Sequence, residues 1–143
     1  AMGQCQFMPS SFINYATDWD KDGSKNIWTS KPDVFASASN YLKKVGWSNK
    51  INWGRKVFIG NYNDKIDEKK YNFLSYWASK GILKANKEKL PNVKLKARLI
   101  IPDGYKNYGY LVYKNFDTLL NWNRSNYFAI AVGTLADSIK ENN

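Results

Sequence analysis

The sequence predicts an α+β fold, mainly helical, with a small antiparallel sheet inserted between helical parts at either end. Three observations carry this. Apolar residues recur at helical spacing over 32–44 and again over 126–140. Two stretches of strand character, 94–101 and 109–113, flank the turn Pro102-Asp103-Gly104. Gly46 and Gly81 stand where helical runs should stop, as C-terminal caps do.

Taken in order, Pro9-Ser10-Ser11 suits a first helical turn and predicts a short helix over 11–16 with Phe12, Tyr15 and Ala16 on one side. Before it, Met2, Phe7 and Met8 interleave with Gln4 and Gln6, a pattern of packed interior. An aspartate-rich loop follows. Pro32-Asp33 then opens a second helix to Lys44, with Val34, Phe35, Ala38, Tyr41, Leu42 and Val45 at helical spacing. Residues 55–59 read as a strand and 71–80 as a helix. In the second strand pair, Leu95, Ala97, Leu99 and Ile101 alternate onto one face. The end is helical over 116–122 and 126–140, the latter striped by Phe128, Ala131, Val132, Leu135 and Ile139. The expected organisation is a helical part at 1–52, a β-rich insertion with one helix at 53–114, and closing helices at 115–143 that pack back on the first part.

With 143 residues the chain holds one domain, or one helical unit with an insertion. Its net charge of +10, from 22 Lys+Arg against 12 Asp+Glu, draws it to polyanions: nucleic acid, anionic lipid or an acidic cell wall. The lysines are scattered and no arginine cluster or nucleic-acid motif organises them, so no nucleic-acid partner is expected. Aromatic residues make up 16%; Trp and Tyr at this level either line a groove for ring-shaped ligands or form core and rim. The single cysteine, Cys5, excludes an internal disulfide and reads as a plain buried thiol. Without histidine, His-based zinc sites and a Ser-His-Asp triad are excluded. No stretch is long and apolar enough to span a membrane.

Asp18, Asp20 and Asp22 occupy positions one, three and five of an EF-hand-like loop, residues 18–33, and Gly23 supplies the turn at position six. Ser24 would offer its backbone carbonyl at position seven. Thr29 stands where the usual Glu would be, and Asp33 is a later carboxylate able to close the site. Three carboxylates this close repel one another unless a cation neutralises them, so structural Ca2+ is the expected occupant. The alternative is an ordinary solvated Asp-Gly turn.

The run Ala1-Met2-Gly3-Gln4-x-Gln6-Phe7-Met8-Pro9-Ser10-Ser11-Phe12, then Tyr15-Ala16 and Asn26-Ile27-Trp28, resembles the membrane-bound lytic murein transglycosylase B family. Ala36-Ser37-x-x-Asn40-Tyr41-Leu42, Gly46-Trp47, Asn115-Phe116, Trp122-Asn123-x-Ser125 and 127–132 agree with it, while the middle insertion is similar only loosely. The resemblance implies a lysozyme-like helical portion and cleavage of the bond between N-acetylmuramic acid and N-acetylglucosamine in peptidoglycan. That reaction leaves a 1,6-anhydro ring. One glutamic acid protonates the glycosidic oxygen and then, as base, helps the sugar's own 6-hydroxyl attack. This departs from two-carboxylate glycosidases and needs a Glu raised in pKa by an apolar pocket.

The resemblance places that Glu upstream of residue 1, and Glu68, Glu88 and Glu141 read as solvated surface. No catalytic residue is therefore assigned, and the chain alone is expected to be silent: the peptidoglycan-binding portion of such an enzyme, or alternatively a non-catalytic binding module. The resemblance further implies sugar contacts from Gln6, Tyr41, Trp122, Asn123 and Phe128. Trp122 and Phe128 stand where the family has Tyr, which preserves stacking and removes hydroxyl hydrogen bonds. By residue type alone, Tyr41, Trp122 and Phe128 read first as helix-packing core, and Gln6 is equally readable as a buried amide serving nearby backbone. The implied partner is the peptidoglycan glycan strand, in a periplasmic or cell-envelope location, with no organic cofactor. The start inside a motif predicts an apolar face covered by a missing amino-terminal half or by self-association.

Overall fold

The chain, whose computed structural model describes residues 1–143, divides into two units, Ala1–Ser48 and Asn49–Asn143. The sheet and the closing helices share the second.

In the first unit, α1 (Pro9–Tyr15) starts on Pro9, whose missing N–H is no loss in a first turn. The second helix, α2 (Lys31–Lys44), is capped by Ser30, whose hydroxyl accepts the N–H of Asp33. It ends in a Schellman motif. Gly46, at φ 113°, donates to Lys43 O, and Trp47 N donates to Leu42 O at 2.9 Å.

The buried face of α2 differs from the expected one. It runs Asp33, Ser37, Tyr41, while Phe35 is 69% exposed. The segment after α1 runs beside this face with backbone groups to satisfy. Ser37 Oγ accepts from Thr17 N at 3.0 Å, Asp33 accepts from Trp19 N, and Asn40 donates to Tyr15 O. Polar side chains are selected inward because a neighbouring backbone needs partners.

The second unit is built on a five-stranded antiparallel sheet in the order β2-β4-β5-β1-β3, made of β1 (Gly54–Phe58), β2 (Asn72–Phe73), β3 (Leu83–Lys84), β4 (Lys96–Ile100) and β5 (Tyr108–Val112). The helix expected over 71–80 begins only at α3 (Leu74–Ser79). Asn72 and Phe73 are instead drawn into pairing with Ala97 and Lys96. Val57, Ile59, Leu74, Trp77, Ile82, Ala97, Leu99 and Leu111 form the core on one sheet face, and Trp77 Nε1 donates to Ala97 O. In β4 both faces are buried from Ala97 to Ile100, not the single face the alternation suggested.

The other face is covered in part by α4 (Lys114–Trp122) and α5 (Asn126–Glu141), which begin earlier or end later than expected by one or two residues, and its Lys56–Phe58 end stays partly open. The burial of α5 also departs from the predicted stripe: Ala129, Ile130 and Gly133 are buried, whereas Leu135 and Ile139 are more than half exposed. Trp53 explains the rotation. Its Nε1 donates to Asp137 Oδ2 at 2.9 Å, and its ring lies so near Gly133 that a Cβ there would sit 2.4 Å from ring carbons. Gly133 and Asp137, on one helical face, therefore meet the indole.

Gly133→Ala should force apart α5 and Trp53, lowering stability by about 1–3 kcal/mol. Thermal unfolding checks this. A melting temperature equal to wild type would show that the contact is not tight.

Candidate functional site

The opening motif is a tight turn. Met2 and Phe7 form an antiparallel bridge with reciprocal bonds of 2.8 and 3.0 Å, and residues 3–6 close it. Gly3, at φ 62°, is required: a Cβ would lie 2.6 Å from Ile27 O. Gln4 N donates to that same carbonyl at 2.8 Å, and Gln4 Nε2 to Trp28 O. The opening turn is thus docked on the strand of chain that leaves the aspartate loop.

Gln6 sits in the left-handed region at φ 51°, exposed, with Nε2 donating to Gly3 O at 2.7 Å. Its amide serves nearby backbone, as one sequence reading had it, but on the surface. Its side-chain oxygen, on the exposed face of the turn, remains able to accept. Tyr41 is buried, its ring 5.7 Å from Phe7 and 4.9 Å edge-on to Tyr15. Burial, with Tyr15 adding to it, pushes the Tyr41 hydroxyl above its usual range. Cys5 is buried, its Sγ 3.5 Å from Val34 O, and burial raises its pKa, away from thiolate reactivity.

In the loop, carboxylate oxygens of Asp18, Asp20 and Asp22 lie within 4.8 Å of one another. Backbone N–H groups of Asp22 and Gly23 donate to Asp18, and that of Ser24 donates to Asp22, turning the carboxylates inward. Asp33 stands outside this cluster. It is fully buried, and its two oxygens accept from Trp19 N at 2.7 Å and Asn26 N at 2.9 Å. The Asn26 N–H bond above all, helped by those from Trp19 and Asp20, holds its carboxyl below the usual range despite desolvation. Asp33 therefore clamps both ends of the loop to the start of α2, a role its spacing alone did not reveal.

In the second unit, Trp122, Asn123 and Phe128 gather at the α4–α5 turn. Asn123 caps α4; its Oδ1 accepts from Ser125 N at 3.0 Å, and Ser125 Oγ accepts from Phe128 N. Asn123 is exposed, and Trp122 and Phe128 are half-buried. The three glutamates, Glu68, Glu88 and Glu141, are all exposed.

The sequence reading missed a buried network beneath α4. Arg98, on β4, donates to Asp117 Oδ1 at 2.7 Å and to Glu68 O at 2.8 Å, and Tyr71 Oη donates to Asp117 Oδ2. Burial and the Asp117 bond push Tyr71 up to about 12. Burial opposes ionisation of Asp117, but the bonds from Tyr71 and Arg98 outweigh it and hold its carboxyl below the usual range. The only available signal was an arginine inside an apolar strand.

A family model described as a transglycosylase SLT domain matches residues 1–137. The membrane-bound lytic murein transglycosylase B of Escherichia coli is 32% identical over 145 residues, covering 97% of this chain and 38% of its own length. SltB3 from Pseudomonas aeruginosa, solved in complex with NAG-anhNAM-pentapeptide, matches with a TM-score of 0.89 at 38% identity, over 98% of this chain and 38% of that one. Slt35 from Escherichia coli, solved in complex with calcium, matches with a TM-score of 0.77 at 30% identity, over 99% of this chain and 45% of that one. The chain thus spans less than half the length of these relatives.

The lowered carboxyl of Asp33 stabilises the fold above the ordinary carboxylate pKa of about 3.9, and that contribution is lost as pH falls through the lowered folded value. Asp33→Asn should melt several degrees below wild type at neutral pH, with the gap closing in acid. A gap that stays constant with pH would show that the charge is not what matters.

Proposed function

The chain belongs to the transglycosylase SLT domain family, and we propose that it is the glycan-binding portion of a lytic murein transglycosylase acting on the MurNAc–GlcNAc bond of peptidoglycan. The observation that carries this reading is the close match to SltB3, itself solved with NAG-anhNAM-pentapeptide. An anhydro sugar is the product expected when the 6-hydroxyl, not water, attacks the anomeric carbon.

In this reading each unit supplies sugar contacts. Gln6 Oε1 accepts from a hydroxyl or acetamido N–H, its amide pinned by the bond to Gly3 O. Tyr41 chiefly holds Phe7 and Tyr15 in place and offers a sugar only its small open edge. Asn123, with its oxygen committed to Ser125, donates from its amide nitrogen, and Trp122 and Phe128 offer ring surface. The net charge of +10 draws the chain toward the lactyl and peptide carboxylates of the wall. Glu68, Glu88 and Glu141 are all exposed, whereas a general acid with a raised pKa needs burial, so in this reading residues 1–143 contribute binding and not proton transfer. A cell-envelope location follows from the substrate. No helix is long and apolar enough to cross a membrane.

Structural calcium belongs to the same proposal. Asp18, Asp20 and Asp22 fit a hard cation through their converging oxygens, with the Ser24 carbonyl as a fourth donor. Asp33 serves the loop from behind through its backbone bonds. The calcium named for Slt35 supports this reading.

Two measurements test these proposals. With purified murein sacculi the chain should co-sediment, less so as salt rises, and release no anhydromuropeptides. Failure to bind would sink the binding role, and release of 1,6-anhydro products would sink the claim of silence. Calcium at 100 times its dissociation constant should stabilise the chain by about 2.7 kcal/mol. Asp18→Asn with Asp22→Asn should abolish that shift; identical melting in calcium and in chelator would refute metal binding.

A further inference from the structure

Beyond Tyr110, which is buried and lies 6.0 Å from the Trp53 ring, the sheet face opposite the core carries aromatic and basic groups toward the Phe58–Tyr108 end that α4 and α5 leave open to solvent. Phe58 and Tyr108 are cross-strand partners of β1 and β5, and so are Lys56 and Tyr110. In β1, Lys56 and Phe58 point to the side opposite Val57, which is in the core. The rings of Phe58 and Tyr108 meet edge to face at 5.5 Å. Tyr105, from the turn before β5, lies 5.9 Å from Tyr110, with their hydroxyls 3.5 Å apart. Two ammonium groups stand over these rings. Lys56 Nζ is 5.1 Å from the Tyr108 ring centre and 6.0 Å from that of Tyr105; Lys87 Nζ is 4.9 Å from that of Phe58.

Lys87 is held there by its backbone. It sits at φ 69° in the turn after β3, its N–H bonded to Lys84 O and Lys84 N bonded to Glu88 O. The neighbouring Lys84 is neutralised by Glu88, at 3.6 Å, and the other ion pairs near the sheet are Lys80–Asp64, Arg98–Asp117 and Lys114–Asp117. Lys56 and Lys87 take part in none of them. The face is therefore an aromatic surface edged by two uncompensated positive charges, with Lys56, Lys87 and Tyr105 exposed.

We propose that this face is a second attachment surface for peptidoglycan, composed of different residues from the sugar contacts at Gln6, Trp122, Asn123 and Phe128. Tyr105, Tyr108 and Phe58 stack against the C–H faces of sugar rings, and Lys56 and Lys87 pair with lactyl or stem-peptide carboxylates. The inference rests on the reading that the chain binds peptidoglycan. Charge complementarity argues for this occupant, because the glycan strand combines apolar ring faces with regularly spaced carboxylates. Each contact is weak in water, but a polymer can engage the face and the α4–α5 turn, both in the second unit, together, and the local concentration at one raises occupancy of the other. Single-stranded nucleic acid also offers flat rings and negative charge, but the face has no arginine to fork a phosphate.

The test is co-sedimentation with purified sacculi over a range of salt, using wild type, Lys56→Gln/Lys87→Gln and Tyr105→Ala. The double lysine variant should bind roughly fivefold more weakly at low salt, with a flatter salt dependence. Tyr105→Ala should bind roughly threefold more weakly with the salt dependence unchanged. On sacculi whose carboxyls have been amidated, wild type should fall to the level of the double lysine variant. All three proteins should melt together, which excludes misfolding as the cause. Binding by both variants equal to wild type overturns the second surface while leaving the first site standing. Absence of wild-type binding overturns the peptidoglycan reading itself, and this surface with it. Loss of affinity for single-stranded DNA with unchanged binding to sacculi overturns the proposal by reassigning the face to nucleic acid.

Discussion

The buried carboxylate of Asp33 is the constraint on which the first unit depends. A carboxylate without water is costly unless its lone pairs are filled, and here backbone N–H groups from two separated stretches fill them. Trp19 lies at the near end of the aspartate loop and Asn26 toward the far end, so one side chain at the start of α2 sets the shape of both. The consequence travels outward. Once Asn26 is fixed, Ile27 and Trp28 present the carbonyls that receive Gln4, and Ile27 leaves room only for a glycine at position 3. The turn that presents Gln6 is therefore positioned at second hand by a residue far from it in sequence.

The second unit solves an equivalent problem with different chemistry. Its α4 helix carries Trp122 and Asn123 at one end, and its other end is tied to β4 by Arg98 and Asp117. A buried ion pair of this kind is weak evidence for stability, since desolvation offsets most of the attraction. Its geometry is nonetheless demanding. Arg98 must satisfy Asp117 and a backbone carbonyl together while its guanidinium lies 5.3 Å from the Phe116 ring centre. Sliding α4 by one residue would break those contacts together. Trp53 does the same for α5 through one hydrogen bond and one glycine. Helix position in this unit is set by a few specific contacts more than by the amount of apolar surface.

That distinction explains what could be read from the sequence. The α+β class, the helices around Pro9, Pro32 and Asn126, and the strands around Val57, Leu99 and Leu111 were legible because periodicity and cap residues are local signals. The inward faces of α2 and α5 were not. Counting apolar residues turns Phe35, Leu135 and Ile139 inward, but the structure turns them out because Ser37 and Asp33 answer a neighbouring backbone and Gly133 admits an indole. Strand β2 was hidden for a similar reason, since Asn72 and Phe73 extend only because β4 lies beside them. Of the candidate site, the opening motif and the acidic triplet were visible as residue patterns. The clamp by Asp33 and the network at Arg98 depend on contacts between residues distant in sequence, which spacing does not encode.

The position of Asp33 also separates two functions that the loop might have combined. Had Asp33 been needed to close a cation site, the attachment of the loop to α2 would rise and fall with metal concentration. Instead its oxygens are already engaged by the protein, and the three converging carboxylates lie toward the exposed tip. An ion bound at the tip, as proposed, would relieve repulsion among Asp18, Asp20 and Asp22 and stiffen the residues between them. The anchoring of the loop, and with it the presentation of Gln6, needs only the backbone bonds to Asp33. The proposed cation would in this arrangement adjust the loop's stability without being a condition for the geometry of the opening turn.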